Sequence, residues 1–87
     1  MAYRLEITPA AERDLRALPA AILVRLDGRI RALADNPRPR GVEPIRRRRG
    51  GLRLRVGDYR ILYTLDDAQQ VVIVGRVGHR RDVYRGF

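Results

Sequence analysis

The chain has no cysteine, which removes disulfide frameworks, thiolate metal sites and cysteine nucleophiles together. A single histidine is present, so a histidine-built metal cluster is not expected, and no metal or other cofactor is read from the sequence. Lysine is absent as well: all 19 basic residues are arginine, a side chain that keeps its proton near neutral pH. No apolar run approaches the roughly 20 residues that span a bilayer. The segment Met1-Ala2-Tyr3-Arg4-Leu5-Glu6 also lacks the apolar stretch of a signal peptide. These absences lead to the expectation of a soluble, cytoplasmic protein with no membrane partner. There is no internal repeat, low-complexity tract or linker.

What is present is a compact amount of chain with a large positive charge. Eighty-seven residues suit one domain spanning 1–87, because a chain this short cannot be divided between two cores. A hydrophobic content of 45% is too high for a disordered basic tail, and the formal net charge is +9. The charge is uneven. Residues 1–37 carry six arginines against five acids, whereas residues 38–87 carry thirteen against five. The front half therefore resembles scaffold and the back half a surface for a polyanion.

Local patterns give the fold class. Tyr3, Leu5 and Ile7 alternate with Arg4 and Glu6, the period of a half-buried strand. Thr8-Pro9 supplies a helix cap followed by a proline suited to the first turn, with Glu12 and Asp14 close behind. This helix should run to about Leu18, after which Pro19 opens a second one with Ile22, Leu26, Ile30 and Leu33 on one face. Asp35-Asn36-Pro37 and Arg38-Pro39-Arg40-Gly41 end it. Leu52, Leu54 and Val56 alternate with Arg53 and Arg55, and Gly57-Asp58 reads as a two-residue type II′ turn into Tyr59-Arg60-Ile61-Leu62-Tyr63. Asp66–Gln70 is the next turn, and Val71-Val72-Ile73-Val74 is apolar on both faces like a central strand. The result is an α+β fold: an N-terminal strand and a helical hairpin packed on a mainly antiparallel, twisted sheet of about four strands.

The hairpin fixes a cluster of charge. A two-residue loop pairs Val56 with Tyr59, which sets Arg55 opposite Arg60 and places Arg53 on the same face. Arg53 and Arg55 would be about 7 Å apart along the strand, and Arg55 and Arg60 about 5 Å apart across it. Opposed like charges cost a sheet up to about 1 kcal/mol, a penalty that a bound polyanion removes. The alternative is a solvated face with splayed side chains. Against it stands the absence of acids between residues 52 and 65 apart from the turn residue Asp58. The run Arg46, Arg47, Arg48, Arg49 is either a solvated loop or a phosphate contact. His79, Arg80, Arg81 and Tyr84 gather most of the remaining ionisable chemistry, and the short tail Arg85-Gly86-Phe87 follows them.

Four segments together resemble the RelE/ParE superfamily of type II toxin-antitoxin toxins over nearly the whole chain. They are Tyr3–Ile7 with Ala10, Asp14 and Leu15; Leu33–Pro37; Leu52–Tyr63; and Val77–Tyr84. The resemblance implies a ribonuclease that enters the ribosomal A site and cleaves mRNA by attack of a 2′-hydroxyl on the adjacent phosphate. It implies catalytic roles for Arg53, Arg55, Arg60, Arg80 and Tyr84; beside them, the residues themselves offer His79 as a further proton-transfer candidate and Arg46–Arg49 and Arg81 as RNA contacts. RelE itself has lysines where this chain has Arg53 and Arg55, so these two can clamp phosphate but are poor general bases. A positive surround favours the phenolate of Tyr84 and the neutral imidazole of His79, and either can fill the vacancy. Leu52 stands where related chains often carry an aromatic that would stack on a base. The expected partners are a cognate antitoxin with an acidic or amphipathic segment and mRNA on the ribosome. Two other readings keep the same scaffold: a ParE-like poison of DNA gyrase without nuclease chemistry, and a degenerate member that only binds its antitoxin.

Overall fold

The structure is a computed structural model that describes residues 2–84; the tail Arg85-Gly86-Phe87 lies outside the described residues. Seven elements follow one another: β1 (Arg4–Ile7), α1 (Pro9–Arg16), α2 (Ala20–Ala32), β2 (Glu43–Pro44), β3 (Gly51–Val56), β4 (Tyr59–Asp66) and β5 (Val71–His79). The five strands form one sheet in the order β1-β5-β4-β3-β2. All pairings are antiparallel except β1 with β5, which is parallel. The architecture is α+β as expected. The sheet has five strands where about four were expected, the extra one being the two-residue β2.

Both helices begin where local chemistry starts them. Thr8 caps α1 by accepting from the Ala11 N–H at 3.1 Å, with Pro9 at the first position. α1 stops at Arg16, slightly short of the expected end. Pro19 is the residue before α2, and from there Leu26, Ile30 and Leu33 are carried into the core. They meet Leu54 and Val56 of β3, Ile61 and Tyr63 of β4, and Val72, Val74 and Val77 of β5. The phase of β5 changes between 74 and 77 because Gly75 is an extra residue: Tyr63 pairs with Val74, but Leu62 pairs with Arg76.

The short β1 leaves the far end of β5 without a strand partner, and α1 supplies one. The Thr8 N–H donates to the Val74 carbonyl at 3.0 Å, and the Thr8 hydroxyl donates to the Gly75 carbonyl at 2.9 Å. Asp14 accepts from the Val77 N–H at 2.9 Å and from Arg76 Nε at 2.7 Å. The pair is largely shielded, with side chains 18% and 23% exposed, and the Asp14 bond holds the Arg76 guanidinium above its ordinary range. A second tie holds the opposite corner. Arg38 donates to both oxygens of Asp67, Tyr3 donates to the same carboxylate at 2.7 Å, and the buried Tyr63 hydroxyl donates to the Pro37 carbonyl at 2.7 Å. Among the described residues no helix is long and apolar enough to cross a membrane.

Two outcomes follow from these ties. Asp14→Ala removes the acceptor of a half-buried backbone N–H and of Arg76, and urea denaturation should show a loss of about 2 kcal/mol; an unchanged midpoint would contradict this. Burial pushes the Tyr63 hydroxyl up to about 12, Arg38 pulling weakly the other way. Its folded value lies above the ordinary 10.0, so its share of stability is full below pH 10 and disappears as pH rises toward 12. The alkaline fall of the urea midpoint should therefore be shallower in Tyr63→Phe than in wild type.

Candidate nucleic-acid interface

The β3–β4 turn builds the site. Gly57 has φ +61°, the left-handed conformation that a type II′ turn needs at its first central position, and Asp58 is not left-handed. The register is the expected one: Val56 with Tyr59, Arg55 with Arg60, Leu54 with Ile61 and Arg53 with Leu62. Since Leu54, Val56 and Ile61 join the core, Arg53, Arg55 and Arg60 share the face away from the helices. Arg55 folds back to donate to the Gly57 carbonyl at 3.4 Å, and Arg60 donates to the Tyr59 carbonyl at 3.3 Å. Leu52 packs against the core, so an aromatic there would not stack on this face.

The expectation of an acid-free face needs correction. β2 lies beside β3 with Glu43 directly opposite Arg53, and Glu43 Oε1 stands 3.5 Å from Arg53 Nη2. Arg53 Nη1 also donates to the Tyr84 hydroxyl at 3.3 Å. Tyr84 first, and Glu43 more weakly, hold the Arg53 guanidinium above its ordinary range. Nothing in the sequence marks β2 as a strand, because it is two residues long and Pro44 has no N–H to donate. The only signal was that Glu43 is the lone acid between Asp35 and Asp58.

Downstream, the Ile45 N–H donates to the Gly51 carbonyl at 2.9 Å, and the Gly51 N–H donates to the Arg48 carbonyl at 2.9 Å. A side chain on Gly51 would come within 3.1 Å of that carbonyl, so glycine lets this basic loop close tightly. Two adjoining cavities result. One of about 500 Å³ is walled by Pro44, Ile45 and Tyr84 and by Arg46, Arg47 and Arg48. The other, about 190 Å³, is lined by Arg53, Arg55, Arg60 and Glu43. Arg53 and Glu43 belong to both. Six arginines and one glutamate thus line a continuous basin.

The C-terminal turn delivers the tyrosine. The Arg80 N–H donates to the Asp58 carbonyl at 2.8 Å, and the N–H groups of Asp82 and Val83 return to the His79 carbonyl. Val83 is buried over Gly78, which leaves Tyr84 40% exposed against Arg53. His79 is not brought to the site. It pairs with Tyr59, a residue packed on the core side of the sheet, and meets that ring edge-on at 5.8 Å. Its Nδ1 accepts from the Arg81 N–H at 3.3 Å. Arg49, Arg80 and Arg81 are exposed and line neither cavity. Among the described residues no group of three His, Cys, Asp or Glu could hold a metal ion.

The sequence and the fold have known counterparts. The family described as the ParE toxin of the type II toxin-antitoxin system parDE matches residues 5–84. The chain belongs to this toxin family, within the RelE/ParE superfamily. It is 39% identical to Toxin RelG of Mycobacterium tuberculosis over 87 residues, covering 98% of this chain and 99% of that protein. The toxin-antitoxin complex RelBE2 of the same organism superposes with a TM-score of 0.81 at 36% identity, over 92% of this chain and all of that one. The archaeal RelE-RelB complex of Pyrococcus horikoshii gives 0.80 at 26% identity, over 95% of this chain and all of that one.

In this toxin the basin should behave as a polyanion site. Affinity for a short single-stranded oligonucleotide should fall steeply with salt, and Arg60→Ala should make the logarithmic slope shallower by about 0.7. A slope unchanged by Arg60→Ala, measured by fluorescence anisotropy, would remove Arg60 from the phosphate contact.

Proposed function

We propose that this toxin is a ribosome-dependent mRNA endoribonuclease that acts in the cytoplasm and inhibits translation. The observation that carries the reading is a carboxylate set among arginines. Glu43, Arg53, Arg55 and Arg60 line one small cavity, with the Tyr84 hydroxyl at its margin. A chain without lysine needs a different general base, and Glu43 is the one carboxylate among the residues lining the basin. Glu43 takes the proton from a ribose 2′-hydroxyl, whose oxygen then attacks the adjacent phosphorus. The P–O5′ bond breaks, leaving a 2′,3′-cyclic phosphate on one fragment. Arg53, Arg55 and Arg60 neutralise the charge that accumulates on the pentacovalent phosphorus. The departing 5′-oxygen takes a proton from Tyr84 or from water. His79, turned to the other face, has no part in this scheme, and Arg80, Arg81 and Arg49 can contact RNA only outside the basin.

A cognate antitoxin fits the same reading. The M. tuberculosis and P. horikoshii relatives are described as toxin-antitoxin complexes, and an acidic or amphipathic segment laid over the arginine face would offset its charge. The ParE description of the matching family favours a second reading, in which the chain binds and poisons DNA gyrase without cutting RNA.

One pair of assays separates the two. Programmed ribosomes are incubated with the protein and the new 5′ ends are mapped, alongside a gyrase supercoiling assay. The nuclease reading expects cuts within the A-site codon, a loss of roughly 10²–10³-fold in Arg60→Ala and of roughly 10²–10⁴-fold in Glu43→Gln. Intact mRNA with inhibited gyrase would replace it with the second reading, and full activity of Glu43→Gln would remove Glu43 as the base.

A further inference from the structure

His79 takes no part in the chemistry of the basin, yet the turn that delivers Tyr84 is tied to it three times. Its carbonyl accepts from the Asp82 N–H at 2.9 Å and from the Val83 N–H at 3.1 Å, and its ring Nδ1 accepts from the Arg81 N–H at 3.3 Å. The remaining N–H of the turn, that of Arg80, goes to the Asp58 carbonyl at 2.8 Å. The consecutive donors of residues 80–83 are thus all satisfied, three by carbonyl oxygens and one by a ring nitrogen. A carbonyl accepts at any pH. An imidazole nitrogen accepts only while it carries no proton, and imidazole changes charge between about pH 5 and 8. One of the ties holding the turn is therefore conditional on acidity.

We propose that His79 is a positioning residue that works as an acid-sensitive latch: its neutral ring holds the Arg81 N–H, and a proton on Nδ1 loosens the turn and withdraws Tyr84 from Arg53. The bond fixes the tautomer, since an accepting Nδ1 leaves the neutral ring's proton on Nε2. The ring packs edge-on against Tyr59 at 5.8 Å, so a second proton is brought up against the Arg81 N–H, donor facing donor. Charged groups surround this corner on every side. Arg80, Arg81 and Asp82 lie on the turn itself, and Asp58 and Arg60 flank Tyr59. The Arg25 guanidinium of α2 comes within 3.7 Å of where a side chain on Gly57 would begin, and α1 brings Asp14, already engaged with Arg76 and the Val77 N–H. Among the described residues, the hydrogen bond that the imidazole makes is the one to the Arg81 N–H. Tyr84 is the residue that feels its loss. It follows the buried Val83 directly, is 40% exposed, and is held to Arg53 by a single 3.3 Å bond.

The test involves no RNA, so it stands or falls separately from the nuclease reading. NMR spectra of the isotope-labelled full chain are followed from about pH 8 to about pH 5. At the alkaline end the imidazole nitrogen shifts should show Nε2 protonated and Nδ1 bare. As the ring takes up its second proton, protection of the Arg81 amide relative to an unstructured chain at the same pH should fall roughly fivefold, what one net hydrogen bond contributes. The Overhauser contacts between the Tyr84 ring and the Arg53 side chain should fade with the same midpoint. His79→Asn offers Oδ1 to the N–H two residues on, as asparagine does in turns, and does not titrate. It should keep the Tyr84–Arg53 contacts over the whole range, whereas His79→Ala should lack them throughout. The wild-type titration decides the matter even if His79→Ala fails to fold. A Tyr84 ring that stays on Arg53 while His79 titrates, or a proton on Nδ1 at the alkaline end, would overturn the latch. Loss of the contacts in His79→Asn over the same range would overturn it too, assigning the change to Glu43, Asp58 or Asp82.

Discussion

The register of the β3–β4 hairpin is the constraint on which the rest depends. Because side chains alternate, the turn at Gly57-Asp58 decides simultaneously what enters the core and what faces outward. Leu54, Val56 and Ile61 go under the helices; Arg53, Arg55 and Arg60 go to the open face. A slip of one residue would bury arginines and expose the core, a difference far larger than the modest penalty for opposing Arg55 to Arg60. The fold can therefore hold like charges together without risking an alternative pairing. Glu43 relieves part of the repulsion at one corner through Arg53, and the remaining excess is available to an anion.

A second chain of dependence runs from the edge of β5. Thr8 and Asp14 satisfy the strand edge that β1 is too short to cover, and this holds β5 in place past its bulge. Beyond the bulge, β5 sets Gly78 beneath Val83, and Val83 determines where Tyr84 lies. The site tyrosine is thus positioned in part through the half-buried Asp14–Arg76 pair at the edge of β5. Asp14 is a stabilising residue whose influence on the basin is indirect and structural.

Much of this was legible from residue order. The helix cap at Thr8-Pro9, the hairpin and its register, and the convergence of three arginines all follow from short-range rules that packing reinforces. What escaped did so for identifiable reasons. β2 is two residues with a proline, so it has no alternation to read, and Glu43 therefore stayed hidden beside Arg53. The bulge at Gly75 inverts the alternation of β5, so the inward positions 72 and 74 are followed by 77 and 79. That inversion turns His79 toward Tyr59 and away from the arginines. Sequence proximity made His79 and Tyr84 look like equal candidates, whereas one extra residue in a strand separates them onto opposite faces.

The parallel pairing of β1 with β5 has a temporal side. It joins segments separated by 67 residues, as the Thr8–Gly75 bond shows, and contacts that distant form late because a long loop must close first. During synthesis the helices and the cationic hairpin emerge before the strand that completes the sheet. The core has no floor beneath α1 until β5 arrives, and Tyr84 follows only after that. A partly made chain can therefore carry the β3–β4 hairpin with its arginines before Tyr84 is in place, and the Arg53–Tyr84 contact is the part of the basin that waits for the completed sheet.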